Sequence, residues 1–226
     1  MLSENDRQPE DPPCQGEETL SDRDASALGE TDAQVARLRG GASDQFGPLY
    51  ERLAPAIHVW AALRIHPNMR GRLDPEDVVQ EVWWRTMDAF PSFDPGKGAF
   101  RTWVFRIASN VLLNDFRRLR NHGEMPAARN RPQREPLPDS LAAQATSIST
   151  SAARHELCDE IIREAAGLGD KDRAIFVYCG LEGLTALEAS VLSGLSLDAV
   201  FKRWQRLRAR LRGTSGWDRF LELDAG

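Results

Sequence analysis

Cysteine is scarce here and poorly placed for chemistry. Cys14, Cys158 and Cys179 are the only three in 226 residues, and no two form a CxxC pair. An odd, scattered set counts against both a disulfide framework and a cysteine-based zinc site, so three reduced thiols are expected. Histidine is equally thin: His58, His66, His122 and His155 are far apart. His155 and Cys158 sit one helical turn apart, but two ligands do not make a metal site. No serine, cysteine and histidine arrangement emerges and no glycine loop could cradle a phosphate, so nothing points to an enzyme and no cofactor is expected. No stretch approaches the roughly 18 apolar residues of a membrane span. The start, MLSENDRQPEDPPCQGEE, carries acids and prolines where a secretory signal places basic residues and then an apolar run. A cytoplasmic location is expected.

What the chain does have is charge in blocks. The net charge of -5 hides a strongly uneven distribution. In residues 1–30 nine carboxylates face only Arg7 and Arg23. Between 97 and 120, Lys97, Arg101, Arg106, Arg117, Arg118 and Arg120 face Asp115 alone, and between 196 and 212 Lys202, Arg203, Arg206, Arg208, Arg210 and Arg212 face Asp198 alone. Two separate basic surfaces on an acidic chain suggest two contacts with a polyanion.

Apolar residues recur at three- and four-residue steps and nowhere alternate as in a strand, so the fold is expected to be all-α. Residues 1–31 contain too little apolar surface to offset the entropy of ordering and read as a disordered acidic tail. It either shields a basic surface or merely aids solubility. Pro126, Pro132, Pro136 and Pro138 forbid a continuous helix, which makes 121–153 a flexible linker. Two small helical domains, 32–120 and 154–212, remain, followed by a tail at 213–226 to which no function is assigned.

In the first domain, Asp74 caps a helix that has Pro75 at its first position and Glu76 and Asp77 facing its positive end. Its inner side carries Val78, Val79, Val82, Trp83, Met87 and Phe90, and its outer side Asp77, Gln80, Glu81, Trp84 and Asp88. That outer face is either a solvated acidic surface or, because of Trp84, an interface for a basic partner. After a turn-rich connection, a helix from about Phe100 to Leu119 buries Phe100, Trp103, Val104, Ile107, Ala108, Val111, Leu112 and Phe116. Phe93 in the connection and Phe105 off the stripe stand beside arginine and asparagine, a combination suited to single-stranded DNA because bases stack on rings while cations hold phosphates.

In the second domain, Thr185 and Glu188 form a capping box, Gly194 permits a sharp turn and Ser196 caps a last helix. That helix is expected to bury Leu197, Val200, Trp204, Leu207 and Leu211 and to expose Lys202, Arg203, Arg206, Arg208 and Arg210. This is a helix-turn-helix whose basic second helix suits a major groove.

Together, "DPEDVVQEVWWRTM", "FDPGKGAFRTWVFRIASN" and the terminal helix-turn-helix resemble a bacterial RNA polymerase sigma factor of the extracytoplasmic-function type, over residues 33–120 and 154–212. The resemblance implies a non-enzymatic factor that binds core RNA polymerase, directs it to promoters and helps melt DNA. It also implies that Asp77, Gln80, Glu81 and Trp84 meet the polymerase, and that Phe93, Arg106 and Asn110 lie near an extruded base of the minus-ten element. Arg117 and Arg118 would then meet backbone phosphates, and Lys202, Arg203 and Arg206 the minus-thirty-five element. Many relatives carry a basic residue where this chain has Phe201. Core polymerase and promoter DNA are the implied partners, with room for an anti-sigma factor that the sequence does not name. The alternative is a two-domain helix-turn-helix regulator that does not deliver polymerase.

Overall fold

The computed structural model describes residues 31–40, 46–122 and 152–211, and every regular element among them is helical. The acidic tail, most of the expected linker and the C-terminal tail lie outside the described residues. A short helix, α1, covers 31–39. The second, α2 (Phe46–Arg64), contains Pro55 and buries Leu49, Leu53, Ile57 and Trp60 together with Ala54, Ala56, Val59 and Ala61. A helix apolar on nearly all sides belongs in the middle. Accordingly α2 packs against α3 (Pro75–Ala89), α4 (Phe100–His122) and α5 (Ala152–Ala166).

Helix α3 starts as its sequence dictates. Asp74 Oδ1 accepts from the Glu76 N–H at 2.9 Å, with Pro75 in the first turn and Glu76 and Asp77 at the positive end of the dipole. Its inner side buries Val78, Val79, Val82 and Trp83, while Met87 and Phe90 are only partly covered. Thr86 is also internal, its hydroxyl satisfied by the Val82 carbonyl at 2.8 Å. Tyr50 of α2 packs its ring 5.2 Å from that of Trp83. Burial, with the nearby charge of Glu76, pushes its phenol up to about 12.

Helix α4 runs to His122 and α5 starts at Ala152, so each takes two residues from the expected linker. After α5, the short α6 (Asp170–Ile175) widens into a π-type turn over Phe176–Leu181. A side chain at Gly180 would meet Trp204 and the Phe176 ring at 3.0–3.1 Å, so glycine there lets the last helix approach. Next comes α7 (Ala186–Ser193), opened by the reciprocal capping box of Thr185 and Glu188 and closed by Gly194 in the left-handed conformation, φ 67°. The last helix, α8 (Leu197–Leu211), begins where Ser196 Oγ accepts from the Ala199 N–H at 3.3 Å. It buries Val200, Leu207 and Leu211 and half-buries Trp204. Leu197, expected inside, is 50% exposed at the first position of α8.

Candidate functional site

Three surfaces carry the residues that the sequence singles out. On the outer side of α3, Gln80 and Asp88 are exposed, whereas Asp77, Glu81 and Trp84 are half-buried. Glu81 is engaged along its own helix, accepting from Arg85 Nε at 2.8 Å. The face is therefore less acidic than its sequence, and Gln80 and Asp88 are its exposed members, with Trp84 half-buried between them.

The connection between α3 and α4 departs from expectation at Phe93. Two short 3₁₀ turns, Phe90–Ser92 and Pro95–Lys97, wind this segment, and the Phe93 N–H closes the first by bonding the Phe90 carbonyl at 3.0 Å. That turn rolls the Phe93 ring inward, where it is 4% exposed and lies 5.3 Å from Phe100 and 5.0 Å from Trp103. Phe93 is a core residue in this conformation and offers no open ring face to a base. Phe105 is likewise internal, its ring 5.9 Å from Trp60 and beneath the Arg101 guanidinium at 5.7 Å. Lys97 pairs with Asp94 at 3.4 Å. The Gly96 N–H bonded to that exposed carboxylate, together with Lys97, holds Asp94 below the usual carboxylate range.

What α4 does present is an open, mostly polar stripe. Arg106, Asn110, Leu113 and Arg117 are all exposed and follow one another at four-, three- and four-residue steps, with Arg118 and Arg120 beside them. At 1.5 Å per residue the stripe spans about 16 Å.

On α8, Lys202, Arg206 and Arg210 are exposed. Lys202 pairs with Asp198 one turn back at 2.9 Å. Arg203 is not part of the open surface: it is half-buried and its Nη1 donates to Asp172 at the start of α6. The reason is its place in the helix, three residues from Val200 and four from Leu207, on the edge of the buried side.

The family model described as sigma-70 region 2 matches residues 49–122. The RNA polymerase sigma factor CnrH of Cupriavidus metallidurans is 35% identical over 189 residues, covering 78% of this chain and 90% of that protein. The chain belongs to the RNA polymerase sigma factors of the extracytoplasmic-function type. A second relative, the ECF RNA polymerase sigma factor SigG of Mycobacterium tuberculosis, is 28% identical over 160 residues, covering 64% of this chain and 43% of that protein. Among solved structures, that of CnrH in complex with the cytosolic domain of CnrY covers 86% of this chain and 98% of its own, at 24% identity and a TM-score of 0.39. As a sigma factor, the protein directs RNA polymerase to promoters. No described helix is long and apolar enough to cross a membrane.

In this sigma factor a polar seam also joins the two halves, which the sequence did not announce. Glu182, 8% exposed just after the π-type turn, accepts from the Trp60 indole N–H at 2.7 Å and from Arg64 at 2.5 Å. Arg101, counted among the basic residues of the 97–120 stretch, is buried and donates to the carbonyls of Leu181 at 2.7 Å and Gly180 at 3.0 Å. Its side chain passes over Gly183, which adopts φ 66° and where a Cβ would sit 3.1 Å from Arg101 Cδ. At the other end of the seam, His155 of α5 bonds Glu76 of α3 at 2.9 Å, and its ring lies 6.2 Å from that of His58. Burial pushes His58 below its ordinary pKa, with His155 adding to the effect and Glu76, Asp74 and Asp159 opposing it. No sequence signal marked Arg101 as internal, because Phe105, four residues on, was itself read as off the buried stripe.

Proposed function

We propose that the chain works as two helical units, 32–120 and 154–212, on the tether between them, the first engaging polymerase and the minus-ten element and the second the minus-thirty-five element. Gln80 and Trp84, flanked by Asp77 and Asp88, meet the polymerase, with Glu81 shaping that face through Arg85. A half-buried tryptophan within a polar rim is the usual composition of an interface anchor. Arg106 and Asn110 approach an extruded base and Arg117 and Arg118 the phosphates beyond it, so that the factor assists melting. Phe93 supports that surface from beneath. Lys202 and Arg206 meet the upstream duplex, while Arg203 holds α8 to α6.

The observation that carries this reading is the exposed stripe of α4, in which cations and asparagine share one side of a helix whose other side is core. A helix-turn-helix regulator would have no use for it. The factor acts where polymerase acts, in the cytoplasm, and performs no catalysis of its own. Because CnrH is seen in complex with the cytosolic domain of CnrY, an anti-sigma protein is a fitting further partner. Run-off transcription by core polymerase tests the whole proposal: the factor should stimulate promoter-dependent transcripts from genomic templates, and no stimulation on any of them would refute it.

A further inference from the structure

The paired helices α7 and α8 expose an unusual amount of apolar surface. Leu187, Val191 and Leu192 of α7 and Leu197 and Phe201 of α8 are the large hydrophobic residues left open here, Phe201 at 44% exposure. Leu197 and Phe201 are one turn apart at the N-terminal end of α8, so they share a face there. Their neighbours toward the open side are Lys202, Gln205 and Arg206, all exposed. The apolar pair is thus set among hydrogen-bonding and cationic groups, and the one carboxylate beside it on α8, Asp198, is paired with Lys202.

That combination selects an occupant. A basic rim calls for a polyanion, and the only apolar group a duplex presents in its major groove is the thymine C5-methyl. The N-terminal residues of a recognition helix are the ones that reach base edges. We infer that Leu197 and Phe201 read thymine methyl groups in the upstream promoter element, so that this factor selects thymine where a basic residue at 201 would select guanine. The inference rests on the proposal that α8 enters the major groove, and makes its specificity particular to this chain.

Replacing thymine by deoxyuridine removes the methyl and leaves the base-pairing edge intact. The full chain bound to core polymerase is used to select duplexes from a pool randomised upstream. Each thymine of a selected duplex is then exchanged singly for deoxyuridine and binding is measured. One or two positions should lose affinity by about fourfold, the value of one buried carbon. The loss should vanish in Phe201→Ala or Leu197→Ala, both surface changes that leave the urea midpoint where it was. If Lys202→Ala and Arg206→Ala weaken binding but no thymine is sensitive to methyl removal, the methyl reading is overturned and the proposed function stands. If neither cation matters either, both fall together. A Phe201→Ala variant that binds duplex like the parent but loses a protein partner would overturn the inference in favour of a protein occupant.

Discussion

Replacing Glu182 by alanine is the most incisive perturbation of the seam between the halves. Two donors lose their acceptor. The Trp60 indole is fully buried, and a hydrogen bond to a charged acceptor contributes about 1.5–3 kcal/mol. The Arg64 side chain keeps 37% of its exposure, so water screens its pairing and its share is about 1 kcal/mol or less. Together the change should destabilise the protein by about 3 kcal/mol, or roughly 10 °C in Tm for a chain of this size. Glu182→Gln retains an amide oxygen for Trp60 and loses only the charge, so it should fall well short of that. Urea unfolding gives the free energies, and amide exchange over 176–184 reports whether the loss is local to the seam. Combining Glu182→Ala with Trp60→Phe isolates the pair, and a coupling of at least 1 kcal/mol is expected. Additive single effects, or a Glu182→Ala curve that overlies the parent's, would refute the contact.

His58 makes stability depend on pH. Its folded pKa lies below the ordinary 6.5, so the unfolded chain takes up the proton first as pH falls; stability should decline from pH 7 downward through 6.5, and His58→Gln should flatten that decline in urea midpoints. Trp84→Ala combined with Gln80→Lys should weaken core polymerase binding tenfold or more in a pull-down titration, and unchanged affinity would remove α3 from the interface. Lys202→Ala and Arg206→Ala should each reduce the salt dependence of promoter binding by about one ion. Arg203→Ala should instead lower the urea midpoint and leave that slope alone, which separates an open cation from one committed to Asp172.

The separation of Arg203 from its neighbours shows where sequence reasoning stops. Its charge, its helix and its spacing from Val200 were all readable, yet the carboxylate that takes it belongs to α6, 31 residues earlier. Phe93 and Phe105 teach the same point. Periodicity assigns a residue to a helix face on the assumption of one buried side, and α4 has more, because α3 and α2 both pack against it and Arg101 reaches the carbonyls of Gly180 and Leu181. Phe105 falls on the side of α2, against Trp60. Phe93 lies in a connection without periodicity, where turn geometry alone aimed its ring.

Sequence by itself determined what neighbours within a few residues can decide. The cap at Asp74, the capping box at Thr185, the left-handed turn at Gly194 and the inner stripe of α3 all rest on hydrogen bonds or packing at separations of two to four residues, and all were legible, as was most of the stripe of α4. Tertiary structure alone decided which charges stay open. Glu182 and Trp60 meet across 122 residues, and Arg101 reaches carbonyls about 80 residues away. No local pattern encodes such pairs, because a charge shows whether it is spent inside the protein or left for a partner only once the chain has folded around it.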